Sequence, residues 1–345
     1  MPDNADLSIY RILDASINRA SEGLRVVEDF VRMSLNDAHL TQRLKQLRHG
    51  VTEATKGLDQ DLLIAARDTQ TDVGTSTQTK SEYDRSTESG IVQSNMSRLQ
   101  QSLRTIEEYS KTLSTEMAQQ IEQLRYSTYT IEKAIVTTMM SCQKLADANV
   151  YVLVDGRESI EQFSDLVGKL VAAGTDIIQL RDKRLSAREL LTLGCQLTEL
   201  TRATKTRWIM NDRADLAIAA GADGVHVGQA DLPVSEARRI VGANRLVGVS
   251  THNIQQAHAA VLDGANYIGV GPVFPSGTKS FDKFPGLDFV KEVSEIKLPA
   301  FAIGGIDASN VSQVVESGLA RVAVQGYVLS HSDAAAAVRE LKEQI

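Results

Sequence analysis

The chain has 345 residues, a net charge of -7 and a pI of about 5.5, which allows two domains and a sizeable core. Its two cysteines, Cys142 and Cys195, argue against a disulfide framework, and the acidic balance argues against a general nucleic-acid or membrane surface while leaving room for a small basic pocket. No run of about twenty apolar residues occurs, and the polar start Met1-Pro-Asp-Asn-Ala-Asp6 lacks the basic and apolar regions of a signal peptide, so a soluble, cytoplasmic protein is expected.

Residues 1–148 read as a helical domain of unknown role. Ile12, Ile17, Leu24, Val27, Val31 and Leu35 predict an apolar stripe along one helix face. Similar stripes run from Leu40 to Leu58, from Val92 to Leu113 and from Met117 to Met140. Between the second and third, Asp68 to Glu82 is almost wholly polar, a loop that is either mobile or ordered by its own hydrogen bonds. Arg19, Leu24, Arg25 and Glu28 recur at equal spacing as Arg98, Leu103, Arg104 and Glu107. Such a duplication predicts two paired helices of an antiparallel bundle. Its charges are either structural ion pairs, the favoured reading, or a second ligand site built from Arg25, Arg104, Asp68 and Asp72.

The chain changes character near Asn149, beyond which lie five of the six prolines and most of the glycines. Apolar, β-rich runs occur at Val150–Val154, Asp176–Leu180, Arg207–Met210, Gly224–Val227, Leu246–Val249, Tyr267–Val270, Pro299–Ile303 and Arg321–Val324. Amphipathic segments alternate with them at Ile160–Ala172, Ala187–Ala203, Ser235–Val241, Ile254–Leu262, Leu287–Ile296, Asn310–Glu316 and Ala334–Leu341. This alternation predicts a (β/α)8 TIM barrel over residues 149–345, with an open doubly wound sheet as the other architecture it permits.

In such folds sites form at the carboxyl ends of the strands. After the second strand, Gln179-Leu180-Arg181-Asp182-Lys183 brings two cations and an amide donor to the barrel mouth. Asn211-Asp212-Arg213 closes the third strand, and the fourth runs from Gly224 to Asp231. The two acids suit a shared magnesium ion, a hard cation that takes carboxylate oxygens and spans them to ligand phosphates. Metal and cations together suggest a diphosphate. Ser250 ends the fifth strand, and the sixth runs into Gly271-Pro-Val-Phe-Pro-Ser276-Gly277-Thr278-Lys279. Gly304-Gly305 and Gln325-Gly326 end the last two strands, where backbone amides form the usual phosphate site. Two phosphate sites imply two phosphorylated substrates. Plainer readings stand beside these: Asp212 and Asp231 as helix caps or ion-pair partners, His226 as a hydrogen-bonded barrel residue, Lys183 and Arg184 as solvated loop charges, Gly304-Gly305 as a tight turn. The convergence of acids, cations and glycines at the same ends of different strands favours a site.

These motifs, with Val-Gly-Val-Ser-Thr-His at 247–252 and Ala-Ile-Gly-Gly-Ile at 302–306, stand in the order found in thiamine phosphate synthases, and residues 149–345 resemble that family throughout. The helical region is similar to a domain fused ahead of the synthase in some bacterial forms. The resemblance implies condensation of hydroxymethylpyrimidine diphosphate with hydroxyethylthiazole phosphate to thiamine monophosphate and diphosphate. By analogy the Gln179–Lys183 segment, Asn211 and Lys279 bind the pyrimidine diphosphate, Ser250 lies beside the reacting pyrimidine, and Asp212 and Asp231 hold Mg2+. Ser276, Gly277, Thr278, Gly305, Gln325 and Gly326 take the thiazole phosphate. Arg181, Lys183, Ser250 and Lys279 are the expected catalytic groups, stabilising the departing diphosphate before the thiazole nitrogen attacks. Gly326 stands where the family commonly has serine, Ser276 where threonine is frequent, and Arg321 where a small residue is common. Other expectations of the same residues are a thiazole tautomerase and a non-catalytic thiamine-precursor sensor. The expected partners are two phosphorylated small molecules, without nucleic acid or membrane, and a homo-oligomer stays open. A barrel beginning near Ala146 is expected to act without the helical region.

Overall fold

The computed structural model describes residues 4–70, 72–73, 86–275 and 284–345. They divide into two compact units, Met1–Val136 and Thr137–Ile345. Among the described residues no helix is long and apolar enough to cross a membrane.

The first unit is helical. Helix α1 (Asn4–Asp29) ends in a π-helical turn, Phe30–Leu35, stopped by Asn36 in the left-handed conformation. Helix α2 (Ala38–Thr55) starts at Asp37, whose carboxylate accepts the Leu40 N–H at 2.8 Å. A short α3 (Gln60–Ala65), α4 (Glu88–Ser110) and α5 (Thr115–Lys144) follow, the last continuing into the second unit. The buried stripe of α1 is Leu13, Ala20, Leu24, Val27 and Val31, while Ile12, Ile17 and Leu35 are only half-buried. The physical reason lies in the spacing: the five residues from Ile12 to Ile17 rotate the helix about 140° past a full turn, so the two cannot share one face. The polar segment after Asp68 lies mostly outside the described residues.

The duplicated motif reaches further than its own helices. Helices α1 and α4 pack together, and each carries a buried glutamate that meets an arginine of the next long helix. Glu28 accepts from Arg48 of α2 at 3.2 Å, and Glu107 accepts from Arg125 of α5 at 2.7 Å. Both arginines close a Gln-Leu-Arg run, at 46–48 and 123–125. A buried carboxylate is tolerated when a cation meets it. Arg104 pairs with Glu107 and Glu108, Asp68 meets Arg11, and Arg25 is exposed. Of the charges of the repeat, Glu28, Arg104 and Glu107 are therefore in structural ion pairs, and Arg25 is in none among the described residues.

The second unit is a closed, all-parallel barrel in the order β1 to β8, with strands β1 (Val150–Val154), β2 (Ile177–Leu180), β3 (Arg207–Asn211), β4 (Gly224–Val227), β5 (Leu246–Thr251), β6 (Tyr267–Val270), β7 (Ala300–Ile303) and β8 (Val322–Val324). Helices α6 (Ile160–Ala172) to α14 (Ala334–Lys342) connect and cover them. Two of these helices carry no signal in the sequence pattern. Helix α8 (Ala214–Ala220) has only seven residues and is apolar on nearly every side; α13 (Gly326–Ser330) has five. Helix α8 has almost no polar face to set a 3.6-residue period, and α13 is under two turns long.

The barrel begins before Asn149. Leu145 and Ala148, just ahead of β1, join Tyr151, Ile177, Tyr267 and Phe301 in the buried core. Ser141 accepts from the Asn266 side chain at 3.0 Å, and the Cys142 thiol reaches the Lys297 carbonyl at 3.2 Å. Arg321 donates to the carbonyls of Ala148 and Leu145 at 3.0 and 3.3 Å. It therefore closes the amino-terminal end of the barrel, away from the strand ends where the site lies. A fragment starting at Ala146 would lose Leu145 and the contacts of Ser141, Cys142 and the Leu145 carbonyl, keeping only that of Arg321 with Ala148.

Candidate active site

A cavity of about 500 Å3 opens at the carboxyl ends of the strands. The inward positions follow from strand alternation and register: Leu153 pairs with Gln179, Asn211 with His226, and Ser250 with Gly269. Gln179, Arg181, Asn211, Ser250, Gly305, Gln325 and Gly326 all reach the cavity wall.

Beneath it a chain of hydrogen bonds crosses the barrel. The Gln179 amide donates to Tyr151 Oη at 2.6 Å, the hydroxyls of Tyr151 and Tyr267 lie 3.0 Å apart, Tyr267 Oη lies 3.2 Å from His226 Nδ1, and His226 Nε2 lies 3.0 Å from Ser250 Oγ. Phe301 stands edge-on to both tyrosines. Burial lowers the pKa of His226 to about 4 and raises Tyr267 well above its ordinary value, so both are neutral near pH 7. His226 is the hydrogen-bonded barrel residue expected of it. Gly248 makes room for Tyr267: a Cβ there would stand 2.1 Å from the ring.

Asp212 and Asp231 converge. Burial first, then the hydrogen-bonded and charged Asp231, push the Asp212 carboxyl above its ordinary range, while Lys183 and a hydrogen bond with Asn211 act against this. Asp212 sits in the left-handed region at φ 59, a strained conformation for a residue with a side chain. Neither acid caps a helix. Helix α8 has Arg213 at its N-cap, α9 (Val234–Val241) has Pro233, and neither cap makes a side-chain bond. Asp231 instead accepts the Gly228 N–H at 2.8 Å. A side chain at Gly228 would press on that carboxylate, its Cβ 2.7 Å from Oδ2. Among the described residues neither acid is in an ion pair with a cation. Two hard-oxygen donors held against their mutual repulsion fit a divalent cation, with ligand oxygens completing its shell.

The segment after β2 divides its duties. Arg181 lines the cavity and Lys183 acts on Asp212. Leu180 is fully buried, on the opposite side of β2 from Gln179. Asp182 turns back into its loop, where it accepts from the Gly156 N–H at 3.1 Å and from Arg184, whose guanidinium holds this carboxyl well below its ordinary range. The side chains of Leu180 and Asp182 thus support the loop and are turned from the cavity, and Arg184 is the loop charge.

At the other side of the mouth, Gly304 and Gly305 both have positive φ, and a Cβ on Gly305 would lie 2.5 Å from the Pro275 carbonyl. Only glycine brings this backbone so close to its neighbour. A Cβ on Gly326 meets nothing within 4 Å. Ser276, Gly277, Thr278 and Lys279 lie outside the described residues. Tyr151, Tyr267, His252 and Tyr327 line the cavity without having been anticipated from sequence. For Tyr267 the glycine in the middle of β5 was an available signal.

Residues 150–328 match the family model described as thiamine monophosphate synthase, and residues 11–134 match the ThiD2 family. The thiamine-phosphate synthase of Rhodopirellula baltica is 44% identical, covering 98% of this chain and 94% of that protein. That of Thermosynechococcus vestitus is 36% identical and covers 100% and 97%. Among solved structures, thiamine phosphate pyrophosphorylase from Pyrococcus furiosus is 33% identical, with a TM-score of 0.52, over 58% of this chain and 95% of its own.

Proposed function

Because this chain belongs to the thiamine monophosphate synthase family, we propose that it is a transferase that condenses hydroxymethylpyrimidine diphosphate with hydroxyethylthiazole phosphate to thiamine monophosphate and diphosphate. The observation that carries this reading is the pairing of Asp212 with Asp231 near Lys183, just past the carboxyl ends of β3 and β4, together with the cavity at the strand ends that Arg181, Gly305, Gln325 and Gly326 line. A tautomerase acting on a thiazole phosphate alone would have no use for two carboxylates and two cations at the opposite wall.

Asp212 and Asp231 would hold Mg2+, which when bound supplies positive charge to the leaving diphosphate. Arg181 and Lys183 add cations to the leaving group, a role the family resemblance extends to Lys279, and Gln179 and Asn211 orient the pyrimidine diphosphate. The carbon–oxygen bond of the pyrimidine methylene breaks, and diphosphate leaves with the electron pair. The ring amino group stabilises the cation left behind. The thiazole nitrogen then donates its lone pair to that carbon. The backbone at Gly305, Gln325 and Gly326, with the Ser276–Thr278 loop, would hold the thiazole phosphate so that the nitrogen lies in contact with the carbon it attacks. Ser250 lies beside the pyrimidine in this reading.

The test is an assay of the purified full chain for thiamine monophosphate and diphosphate, with both substrates and with Mg2+ present or chelated. One diphosphate released per thiamine monophosphate, only with both substrates and Mg2+, is expected. Product from the thiazole phosphate alone would favour a tautomerase, and binding of precursors without turnover would favour a sensor.

A further inference from the structure

All five members of the chain Gln179–Tyr151–Tyr267–His226–Ser250 border the cavity, and Tyr151 and Tyr267 also pack in the buried barrel core. Tyr267 is the link between its halves, and it is fully buried. A phenylalanine would fill the same volume without a polar atom in the core, where an unsatisfied hydroxyl costs free energy. The neighbouring strand also gives up a side chain at Gly248 to admit this ring. Packing alone does not ask for a phenol here.

The polarity of the chain follows from its protons. The Gln179 nitrogen can only donate, so Tyr151 accepts from it and passes its own proton to Tyr267. Tyr267 then donates to His226 Nδ1, which puts the single proton of the neutral ring on Nε2, facing Ser250 Oγ. With the opposite polarity the Tyr151 proton would meet no acceptor within the chain. Ser250, already accepting from His226, is left to donate its own proton into the cavity. We propose that Tyr267 is a positioning residue of the reaction, which, through His226, fixes the Ser250 hydroxyl as a hydrogen-bond donor to a ring nitrogen of the pyrimidine substrate. This rests on the reading that Ser250 lies beside that ring. The same chain holds the Gln179 amide through Tyr151, so the two groups facing the ring are set by one relay.

The test is a double-mutant cycle of Tyr267→Phe and Ser250→Ala on the full chain, by steady-state kinetics in both substrates with Mg2+ and with folding checked by circular dichroism. Tyr267→Phe alone should lower kcat/KM for the pyrimidine diphosphate by about tenfold or more, as loss of one hydrogen bond to an aligned polar group does. KM for the thiazole phosphate should stay unchanged. In the Ser250→Ala background the tyrosine substitution should cost clearly less than it does alone, because the part of its effect that passes through the missing hydroxyl is already lost. Additive losses, equal losses in both substrates, or an unaffected Tyr267→Phe would overturn the relay while leaving the proposed activity in place. Full turnover by Ser250→Ala would overturn the reading of the site and the relay with it. If Tyr267→Phe does not fold, Tyr151→Phe with Gln179→Ala makes the same cycle at the other end of the chain, with the same non-additivity expected and additivity contrary to it.

Discussion

The helical unit and the barrel mouth treat buried charge in opposite ways. In the helical unit the buried carboxylates of Asp14, Glu28 and Glu107 each meet an arginine, Arg67, Arg48 and Arg125. At the barrel mouth two carboxylates meet each other, and Arg181 and Lys183 form no ion pair among the described residues. Charges that are matched inside the protein hold helices in register. Charges left unmatched at the strand ends are stabilised when a ligand of the complementary kind arrives, which is how a site is told from a scaffold made of the same residue types.

Substitutions in each unit sharpen that contrast. Glu107→Ala strands the buried Arg125 and should destabilise the helical unit by about 3 kcal/mol; chemical denaturation measures it, and turnover of the folded protein should not change. A loss of turnover without loss of stability would give the repeat a role in the chemistry. Asp231→Asn keeps size and removes a charge, so turnover should fall about a hundredfold, worth about 2.7 kcal/mol, while removal of repulsion at Asp212 leaves stability equal or higher. Near-normal turnover at limiting Mg2+ would rule Asp231 out as a ligand. Arg181→Ala should impair use of the pyrimidine diphosphate, by about tenfold or more in kcat/KM, with the thiazole phosphate KM unmoved; equal effects on both substrates would contradict the division of the mouth. The smallest effect is a gain. The open space at Gly326 admits a serine, and Gly326→Ser should lower the thiazole phosphate KM severalfold, the worth of one hydrogen bond to a charged group.

How much of this the sequence discloses depends on whether a residue's neighbours lie close in the chain. The eight strands are legible because fully buried parallel strands are short apolar runs between turn residues. Asp212 and Asp231 are legible because each ends such a run, and the alternation puts strand ends together. Helix α8 is not, being apolar on nearly every side and so without an amphipathic period. Where the barrel begins is not legible either, since α5 runs without a break through Thr137, and only tertiary contact shows that Ser141, Leu145 and Ala148 belong with the strands. The Tyr151–Tyr267–His226 relay is the least legible part. Inward tyrosines on strands look like core until register sets them side by side, and only Gly248 hints at the close approach. The repeat of Arg and Glu was visible, but its arginine partners Arg48 and Arg125 lie a helix away.

If the matched charges of the helical unit are structural, the barrel unit carries the reaction by itself. A fragment spanning Thr137–Ile345 keeps Ser141, Cys142, Leu145 and Ala148 and so retains the amino-terminal closure of the barrel. Its turnover against that of the full chain, at saturating substrates and Mg2+, tests this most directly. A folded fragment that forms thiamine monophosphate at a rate within about twofold of the full chain is the predicted result, since every proposed ligand is present. A fragment that folds by circular dichroism and binds both substrates yet makes no product would contradict it, and would place part of the catalytic machinery in the helical unit.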